Sequence, residues 1–419
     1  MTLPAPLRSR PFRLLLIGQT VSSFGDWMGT FALMALVSEL SGSETAVGGI
    51  LVLRLLPSGI AGPLAARLAS RWDRRRTMLA MDLARAGMMA AVPFVGAVWW
   101  VYVWAFATEL ASLIFLPARD SAIPDLLEED QLADANSFVL ASSYGNIPIG
   151  GAAFALFSYL GGIDLPIWID AGTFLVSYAF IAQLPSLRAR DLDVEAAPVR
   201  FREAFHLHVV RRIMPAATTV FVGVGALFTL GIPFVYEVLR ASSVAFGFLV
   251  SLFGLGATVG LVAVHVTGQP GVLRIRAGVV VLGGTLAAMS LTSLLWLAYL
   301  GAVSFGAAAT YALVGAVTYL QTNLDGDERT LGFAVFHIVL RIAMSLAAIG
   351  AGIAADALGP VRIVGVGTLH PAATVLFCSG LTVIAGATLL HLPAGREEPT
   401  SGDGDHHRHR VLDPSDPGP

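Results

Sequence analysis

The feature that most constrains this chain is a succession of apolar segments, each about 20 residues long, along nearly the whole sequence. A helix that crosses the hydrocarbon core of a bilayer needs about 20 mostly apolar residues. Within lipid, its backbone polar groups must also be satisfied inside the segment itself. The pattern predicts an all-α integral membrane protein with twelve transmembrane helices. We place them near residues 12–40, 45–68, 77–97, 99–117, 136–160, 164–185, 214–236, 244–266, 277–295, 297–320, 331–357 and 371–392.

The charge content supports the same conclusion. Charged residues make up 13% of the 419 residues, whereas soluble proteins carry about 25%. So few charges cannot cover a water-soluble surface of this size, which excludes a soluble enzyme, a nucleic-acid-binding protein and a disordered protein. The sequence has one cysteine, Cys378, and no phosphate-binding or nucleophile motif, so we expect no cofactor, no bound metal and no enzymatic activity.

The arginines indicate the orientation, because basic loops stay on the cytoplasmic side of a membrane. With both termini in the cytoplasm, the segments predicted to lie there hold 21 arginines, and the outer loops hold only Arg240 and Arg362. The other three, Arg54, Arg85 and Arg341, fall within predicted helices. One missed crossing would invert every later loop, so this asymmetry supports twelve helices. We predict a multi-pass protein of a bacterial cell (plasma) membrane.

A polar segment divides the chain into two halves of six helices each. We predict an N-terminal bundle over residues 1–185, a cytoplasmic central loop over 186–212, a C-terminal bundle over 213–392 and a disordered cytoplasmic tail over 393–419. Within the loop, Phe201–Arg212 has the pattern of an amphipathic interfacial helix. In both halves a basic loop follows the second helix and an acidic loop follows the fourth, which is typical of parallel six-helix repeats.

Three segments of the first half carry a recognisable pattern. They are FRLLLIGQTVSSFGD at Phe12–Asp26, GPLAARLASRWDRRR at Gly62–Arg76 and PARDSAIPDLLEEDQLADANS at Pro117–Ser137. Together they resemble the drug:H⁺ exporter branch of the major facilitator superfamily, which includes macrolide-efflux and enterobactin-exporter proteins. The resemblance implies two six-helix bundles around one central site that opens to either side in turn.

The sequence departs from that pattern in two motifs. In the loop after helix two, Ala66 and Ser70 stand where the family has a glycine and an acid. In helix five, the glycine-proline motif is kept in part, and Ile147 replaces a glycine. The residues of this helix-five motif that remain are Pro148, Gly150 and Gly151.

Ionisable residues inside the predicted helices are the candidates for coupling, because a charge at membrane depth is costly and faces a cavity or a partner. Asp26 lies about 21 Å along helix one and Arg54 about 13 Å in from the outer end of helix two, so their depths can coincide. Asp26 is then either half of a structural ion pair or a proton-binding site. Glu109, midway along helix four, has no obvious counter-charge nearby, and is either a proton or cation site or a protonated carboxyl bonded to a neighbouring helix.

Other charges suggest a gate and a substrate contact. Asp82 and Arg85 are three residues apart on helix three and share a face. We group them with the basic loop before that helix as a cytoplasmic gate, whose further members are Arg71, Asp73, Arg74 and Arg75. His337 and Arg341 share a face of helix eleven and are candidates for a charge partner or for binding an anionic substrate. For Asp170, on helix six, a structural role is favoured.

Aromatic and small residues allow two weaker predictions. Trp27, Tyr144, Tyr236, Tyr311 and Tyr319 either line a cavity for a bulky organic cation or pack within the bilayer interface. On helix eight, Gly256 and Gly260 have the spacing of a close-packing pair.

The function predicted from these features is secondary active transport. We expect a proton-coupled exporter of a small amphipathic compound that works by alternating access, with Asp26 and Glu109 as the candidate proton sites. Its partners would be the lipid bilayer, a small-molecule substrate and protons, without nucleic acid, and the chain would be a monomer. The alternatives are a proton-independent facilitator or importer of a small anionic metabolite, which would use Arg54 and Arg341, and a non-transporting membrane scaffold or sensor.

Overall fold

The computed structural model describes residues 4–55, 57, 72–187, 207–267, 272–324, 326–363 and 367–388, and this part of the chain is almost entirely helical. The helices of the first half are α1 (Ala5–Arg8), α2 (Arg10–Ser41), α3 (described over 44–55), α4 (Arg74–Ala91), α5 (Val98–Leu126), α6 (Leu132–Tyr144), α7 (Asn146–Gly161) and α8 (Asp164–Ile181). Those of the second half are α9 (His208–Pro233), α10 (Ser243–Thr267), α11 (Val272–Ser290), α12 (Leu295–Asn323), α13 (Gly326–Ala357) and α14 (Pro371–Thr388).

Short irregular segments join these helices. Val92–Phe94 and Glu129–Gln131 are 3₁₀ turns, and Phe234–Val238 is a π-helical turn that continues α9. Two strands, β1 (Val361–Ile363) and β2 (Gly367–Leu369), form an antiparallel hairpin between α13 and α14, with Arg362 opposite Thr368.

The helices follow the twelve predicted membrane segments in order, with α6 and α7 together forming the fifth. Among the described residues, nine helices are long and apolar enough to cross a membrane, and α2, α3 and α4 are not among those nine. The reason is visible in α2 and α4, which bury polar side chains such as Gln19 and Asp82 inside the first bundle. A helix whose polar groups are shielded by its neighbours does not have to be apolar all round.

Two helix boundaries differ from the prediction. The sequence predicts an end of helix four at Pro117, yet α5 continues to Leu126 because Ala122 and Ile123 remain buried in the apolar core beyond the proline. The first half of the amphipathic helix predicted over Phe201–Arg212 lies outside the described residues, and its last residues begin α9 instead. There Val210 packs into the core of the second half. Most of the central loop (188–206) and the whole tail (393–419) also lie outside the described residues.

The fifth membrane segment is broken at Gly145, between α6 and α7. Pro148 has no backbone N–H and cannot donate to the carbonyl of Tyr144, four residues earlier, so the regular hydrogen bonding fails at this place. A side chain of α7 joins this helix to α2 nearby, because the Asn146 side-chain amide donates to the Thr20 backbone carbonyl at 2.8 Å. The fifth membrane segment therefore consists of two helices, α6 and α7, rather than one.

The apolar core is continuous at one end of the molecule and divided at the other. Helix α2 runs from Arg10 to Ser41, and we name the two ends of the bundle the Arg10 end and the Ser41 end. Towards the Ser41 end, one cluster of buried residues joins both halves and includes Phe31 and Phe234. Towards the Arg10 end, further clusters form around Phe12 in the first half and around Phe336 in the second, and neither includes residues of the other half. The two halves are thus held together at the Ser41 end.

Glycines allow the closest approaches between helices. A Cβ on Gly256 of α10 would lie 2.0 Å from the backbone oxygen of Val303 on α12, and one on Gly260 would lie 2.4 Å from that of Ala307. A side chain cannot be accommodated where the neighbour is backbone. The predicted close-packing pair is therefore confirmed, and its partner is α12 within the same half.

We predict that Gly256→Ala lowers the midpoint of thermal unfolding in detergent by about 3–10 °C, because the new methyl group forces α10 and α12 apart. Gly284→Ala on α11 is the matched control, since a Cβ at that position would have no neighbouring atom within 4 Å. That control should leave the midpoint unchanged or slightly raised, because alanine is the better helix former. Equal midpoints for both variants would contradict the packing described for α10 and α12.

Candidate functional site

A cluster of charged side chains lies halfway along the helices of the first half. The Arg54 Nη2 atom on α3 is 3.3 Å from the Asp26 Oδ1 atom on α2, and the Arg85 Nη1 atom on α4 is 3.9 Å from the Asp26 Oδ2 atom. Asp26 therefore lies between two guanidinium groups from different helices. The pairing of Asp26 with Arg54, predicted from their depths, is present.

Arg85 is held in one position by its surroundings. Its side chain is 3% exposed and forms an ion pair with Asp82, one turn earlier on α4. The guanidinium lies 4.3 Å from the ring centre of Phe115 and 4.4 Å from that of Phe174, which stabilises a desolvated cation. Its Nη1 atom also donates to the Ser112 hydroxyl at 3.4 Å.

The members of the predicted cytoplasmic gate are divided between two places. Asp82 and Arg85 lie with Asp26 in the middle of the bundle. Arg85 is eleven residues from the start of α4 at Arg74, which corresponds to about 16 Å along the helix axis. At the Arg10 end, Arg74 forms an ion pair with Asp125 of α5.

The start of α4 holds two further members of that group. The Asp73 carboxylate caps the helix by accepting the Arg76 N–H at 2.8 Å. Arg75 donates to backbone carbonyls at the end of α8, those of Ile181 and Ala182. These contacts tie helices within the first half. Arg71 lies outside the described residues.

Asp170 of α8 is packed into the interior of the first half. It is 1% exposed, and a Cβ on Gly29 of α2 would lie 2.2 Å from its Oδ2 atom. A Cβ on Gly25 would lie 2.6 Å from its Oδ1 atom. The Thr173 hydroxyl donates within the same turn, to the Asp170 carbonyl at 2.7 Å. Two glycines on α2 thus make room for the Asp170 carboxylate.

Glu109 has counter-charges that its own helix does not supply. Arg54 of α3 and Arg341 of α13 act electrostatically on its carboxyl group, as do Asp26 and Arg85. Glu109 therefore faces the same charge cluster as Asp26, and the contribution of Arg341 comes from the other half. His337 lies one turn earlier on α13, and its side chain is outside those described.

The cluster contains an excess of acidic groups among the residues described. The carboxyl groups are Asp26, Asp82, Glu109 and Asp170, and the guanidinium groups are Arg54, Arg85 and Arg341. Uncompensated charge in a low-dielectric interior is costly. One bound proton would balance the charges of this set.

The helix-five motif lies where three helices meet. A Cβ on Gly150 would lie 2.8 Å from the Trp27 Cβ atom on α2, and one on Gly151 would lie 2.5 Å from the Val250 Cγ1 atom on α10. Pro148 packs against Gly254 of α10. The three residues therefore connect α7 both to its own half and to the second half.

An apolar cavity lies next to this contact, within the second half and bordered by α2 of the first. Most of its wall comes from the second half, and Phe31 of α2 is the contribution of the first. The phenylalanines that line it are Phe31, Phe228, Phe234, Phe246, Phe253 and Phe305. Such a wall suits an apolar or aromatic molecule.

The aromatic residues singled out from the sequence are not those that line this cavity. Trp27 instead donates through Nε1 to the Ser143 carbonyl at 2.9 Å, which fixes it between α2 and α6. The Tyr311 hydroxyl lies 3.3 Å from that of Thr267. The sequence contains 23 phenylalanines, so composition offered no means of selecting the six that face the cavity.

Comparison with known proteins identifies the family. Residues 15–348 match the family model described as Major Facilitator Superfamily. In Bacillus subtilis (strain 168), YfiS, named an uncharacterized MFS-type transporter, is 31% identical over 41% of this chain and 41% of its own length. YvqJ, named in the same way, is 24% identical over 85% of this chain and 89% of its own length.

A named efflux protein is also similar to part of this chain. Macrolide efflux protein A of Streptococcus pyogenes is 25% identical over 43% of this chain and 47% of its own length. The chain thus spans less than half the length of YfiS and of macrolide efflux protein A in these matches.

Solved structures share the fold. A bacterial homolog of the human lysosomal transporter Spinster, in an inward-facing and unoccupied conformation, superposes with a TM-score of 0.69 at 16% identity, over 92% of this chain and 95% of that one. The nucleoside transporter NupG superposes with a TM-score of 0.75 at 10% identity, over 91% and 98%. The match over most of the sequence, on a fold of two six-helix bundles, shows that this chain belongs to the Major Facilitator Superfamily of membrane transporters.

Proposed function

We propose that this protein is a proton-coupled exporter of small amphipathic compounds, with proton coupling in the first half and substrate binding mainly in the second. The observation that carries the proposal is the position of Asp26 between two guanidinium groups in a cluster with an excess of carboxyls. A proton bound there changes the charge that holds α2, α3 and α4 together. A switch of this kind biases an equilibrium between two conformations only if the proton binds one of them more tightly.

The proposed proton site and the cavity are linked through one helix. Asp26 and Phe31 are five residues apart on α2, about 7.5 Å along its axis. Phe31 lies 6.4 Å from Phe228 and 5.8 Å from Phe246, measured between ring centres. Substrate in the cavity would contact the helix that carries the proton, which is how the two binding events would affect each other.

The direction of transport is supported by the arginines and by the shape of the core. We propose that the Arg10 end, which carries most of the basic loops, faces the cytoplasm. The cores of the two halves are separate at that end and joined at the Ser41 end. The structure then corresponds to an inward-facing form, able to receive substrate from the cytoplasm. The name of macrolide efflux protein A supports export in the same direction.

The geometry favours this proposal over an anion facilitator. Arg54, one of two arginines considered as an anion site, is paired with Asp26 at 3.3 Å. An anionic substrate would have to displace that carboxylate. The phenylalanine wall of the cavity offers an anion no hydrogen-bond donor.

We predict that Asp26→Asn and Glu109→Gln each reduce export driven by a pH gradient by about tenfold or more, because coupling of 1–3 kcal/mol corresponds to such factors. The assay uses proteoliposomes with an imposed pH gradient and a compound panel that includes erythromycin and ethidium. Asp130→Asn and Glu128→Gln are matched controls, since both residues are exposed near the end of α5, and they should retain wild-type flux. Undiminished gradient-driven flux in both cluster variants would contradict the mechanism.

We predict that Phe253→Ala raises KM for the best-transported compound by about tenfold, because one phenyl ring of buried apolar contact is removed from the cavity. Phe248→Ala is the control on the same helix, because Phe248 is 56% exposed and lies outside the cavity wall. Its KM should stay within about twofold of wild type. A KM for Phe253→Ala equal to that of the control would place the substrate elsewhere.

A further inference from the structure

A carboxylate of the second half caps a helix of the first half. Asp356, near the end of α13, accepts the Glu44 N–H at 2.9 Å and the Thr45 N–H at 3.1 Å, and the Ser43 hydroxyl donates to it at 2.6 Å. The first N–H groups of a helix have no partner within it and are normally satisfied by a residue just before the helix. Here the partner is 312 residues away in sequence.

Ser43 completes the cap. Its hydroxyl oxygen accepts the Ala46 N–H at 3.2 Å while its hydrogen is donated to Asp356. Together, Ser43 and Asp356 satisfy the N–H groups of three successive residues at the start of α3. The first turn of α3 therefore depends on a side chain from the other half.

The cap forms where α3 and α13 touch along their backbones. A Cβ on Gly352 would lie 2.6 Å from the Glu44 oxygen, and one on Gly48 would lie 2.7 Å from the Ala348 oxygen. Movement of α3 away from α13 would lengthen the hydrogen bonds of the cap, and hydrogen bonds weaken steeply with distance and angle. Opening of the Ser41 end would break the cap and leave the N–H groups to water.

The Glu44 side chain places a second carboxyl group beside Asp356. It is 9% exposed and hydrogen-bonds the Asp356 carboxyl group. Burial, followed by the hydrogen bond with Asp356 and the nearby charges of Asp356 and Glu237, raises the pKa of Glu44 from 4.5 to about 7. Two carboxyl groups form a hydrogen bond only when one of them is protonated.

Glu237 and His370 of the second half lie close to Glu44, since one side-chain nitrogen or oxygen atom from each of the three residues lies within 4.8 Å of the others. His370 Nε2 lies 2.6 Å from Glu237 Oε2, and both residues belong to the second half. The Ala372 N–H donates to His370 Nδ1 at 3.3 Å, so neutral His370 carries its hydrogen on Nε2 and donates it to Glu237 rather than presenting a lone pair to a metal ion. The remaining groups near this end are Glu39, Tyr102, Asp164, Tyr236 and Arg240.

We propose that Ser43, Glu44, Thr45 and Asp356 form a latch that holds the Ser41 end closed, and that a proton on Glu44 strengthens it. Loss of that proton leaves two adjacent carboxylates that repel each other, which favours opening. The role of the latch in a transport cycle rests on the proposed function, because an exporter must open the end opposite the cytoplasm. The latch contacts themselves do not depend on that function. A proton taken up at that end would then favour closure.

The test measures the separation of two spin labels across the Ser41 end, without substrate or gradient. Val95 and Leu294 lie in partly exposed turns of the first and second halves. Cysteines placed there, in a Cys378→Ser background, give one label in each half. The closed state binds the Glu44 proton more tightly than the open state does, so closure is favoured most below pH 4.5 and progressively less as the pH rises to about 7. We expect the long-distance population to rise severalfold between pH 5 and pH 8.

Four variants separate the latch from other causes. Asp356→Ala should raise the ratio of long to short distances by about tenfold at pH 5, because the cap is lost. Asp356→Asn, which keeps the shape of the side chain, should have a smaller effect in the same direction and serves if the alanine variant does not fold. Glu44→Gln keeps a donor to Asp356 at any pH, so its distances should remain short at pH 8. His370→Asn should keep the pH response.

Specific results would overturn the latch. They are identical distance distributions for wild type and both Asp356 variants, opening of Glu44→Gln at pH 8 to the wild-type extent, or loss of the pH response in His370→Asn. Because the measurement needs no flux, the latch can fail while export is observed, and export can fail while the latch is observed.

Discussion

The structure of the first half depends on keeping charges ionised inside a medium that disfavours them. A carboxylate in the hydrocarbon is stable only beside a counter-charge or with a proton of its own. Asp26 meets this requirement through two arginines that come from two other helices. The relative positions of α2, α3 and α4 are therefore tied to the ion pairs of one side chain.

The two halves differ in their chemistry although they share a fold. The first buries an ionic cluster and opens space for it with glycines, as Gly25 and Gly29 do for Asp170. The second supplies most of an apolar wall made from phenylalanines and packs its helices closely through Gly256 and Gly260. Under the proposed function, coupling would require an element that belongs to both regions, and α2 carries both Asp26 and Phe31.

Local and periodic features were predictable from the sequence. The lengths of the apolar segments gave the order of the helices, and counting residues from each end was sufficient to pair Asp26 with Arg54. The place of Asp170 was not predictable, because it depends on which face of α8 meets α2. The same holds for Asp356, whose partners lie 312 residues away at the start of another helix. Contacts between helices that are far apart in the sequence do not produce a periodic pattern of residues.

The packing of Phe115 and Phe174 against Arg85 has a consequence for how the proposed protonation of the charge cluster would move a helix. Phe115, Phe174 and Asp82 all contact the Arg85 guanidinium, so its side chain is packed on several sides. Under the proposed function, a change in the attraction between Asp26 and Arg85 would therefore act on helix α4 as a whole, because the side chain has little room to move by itself.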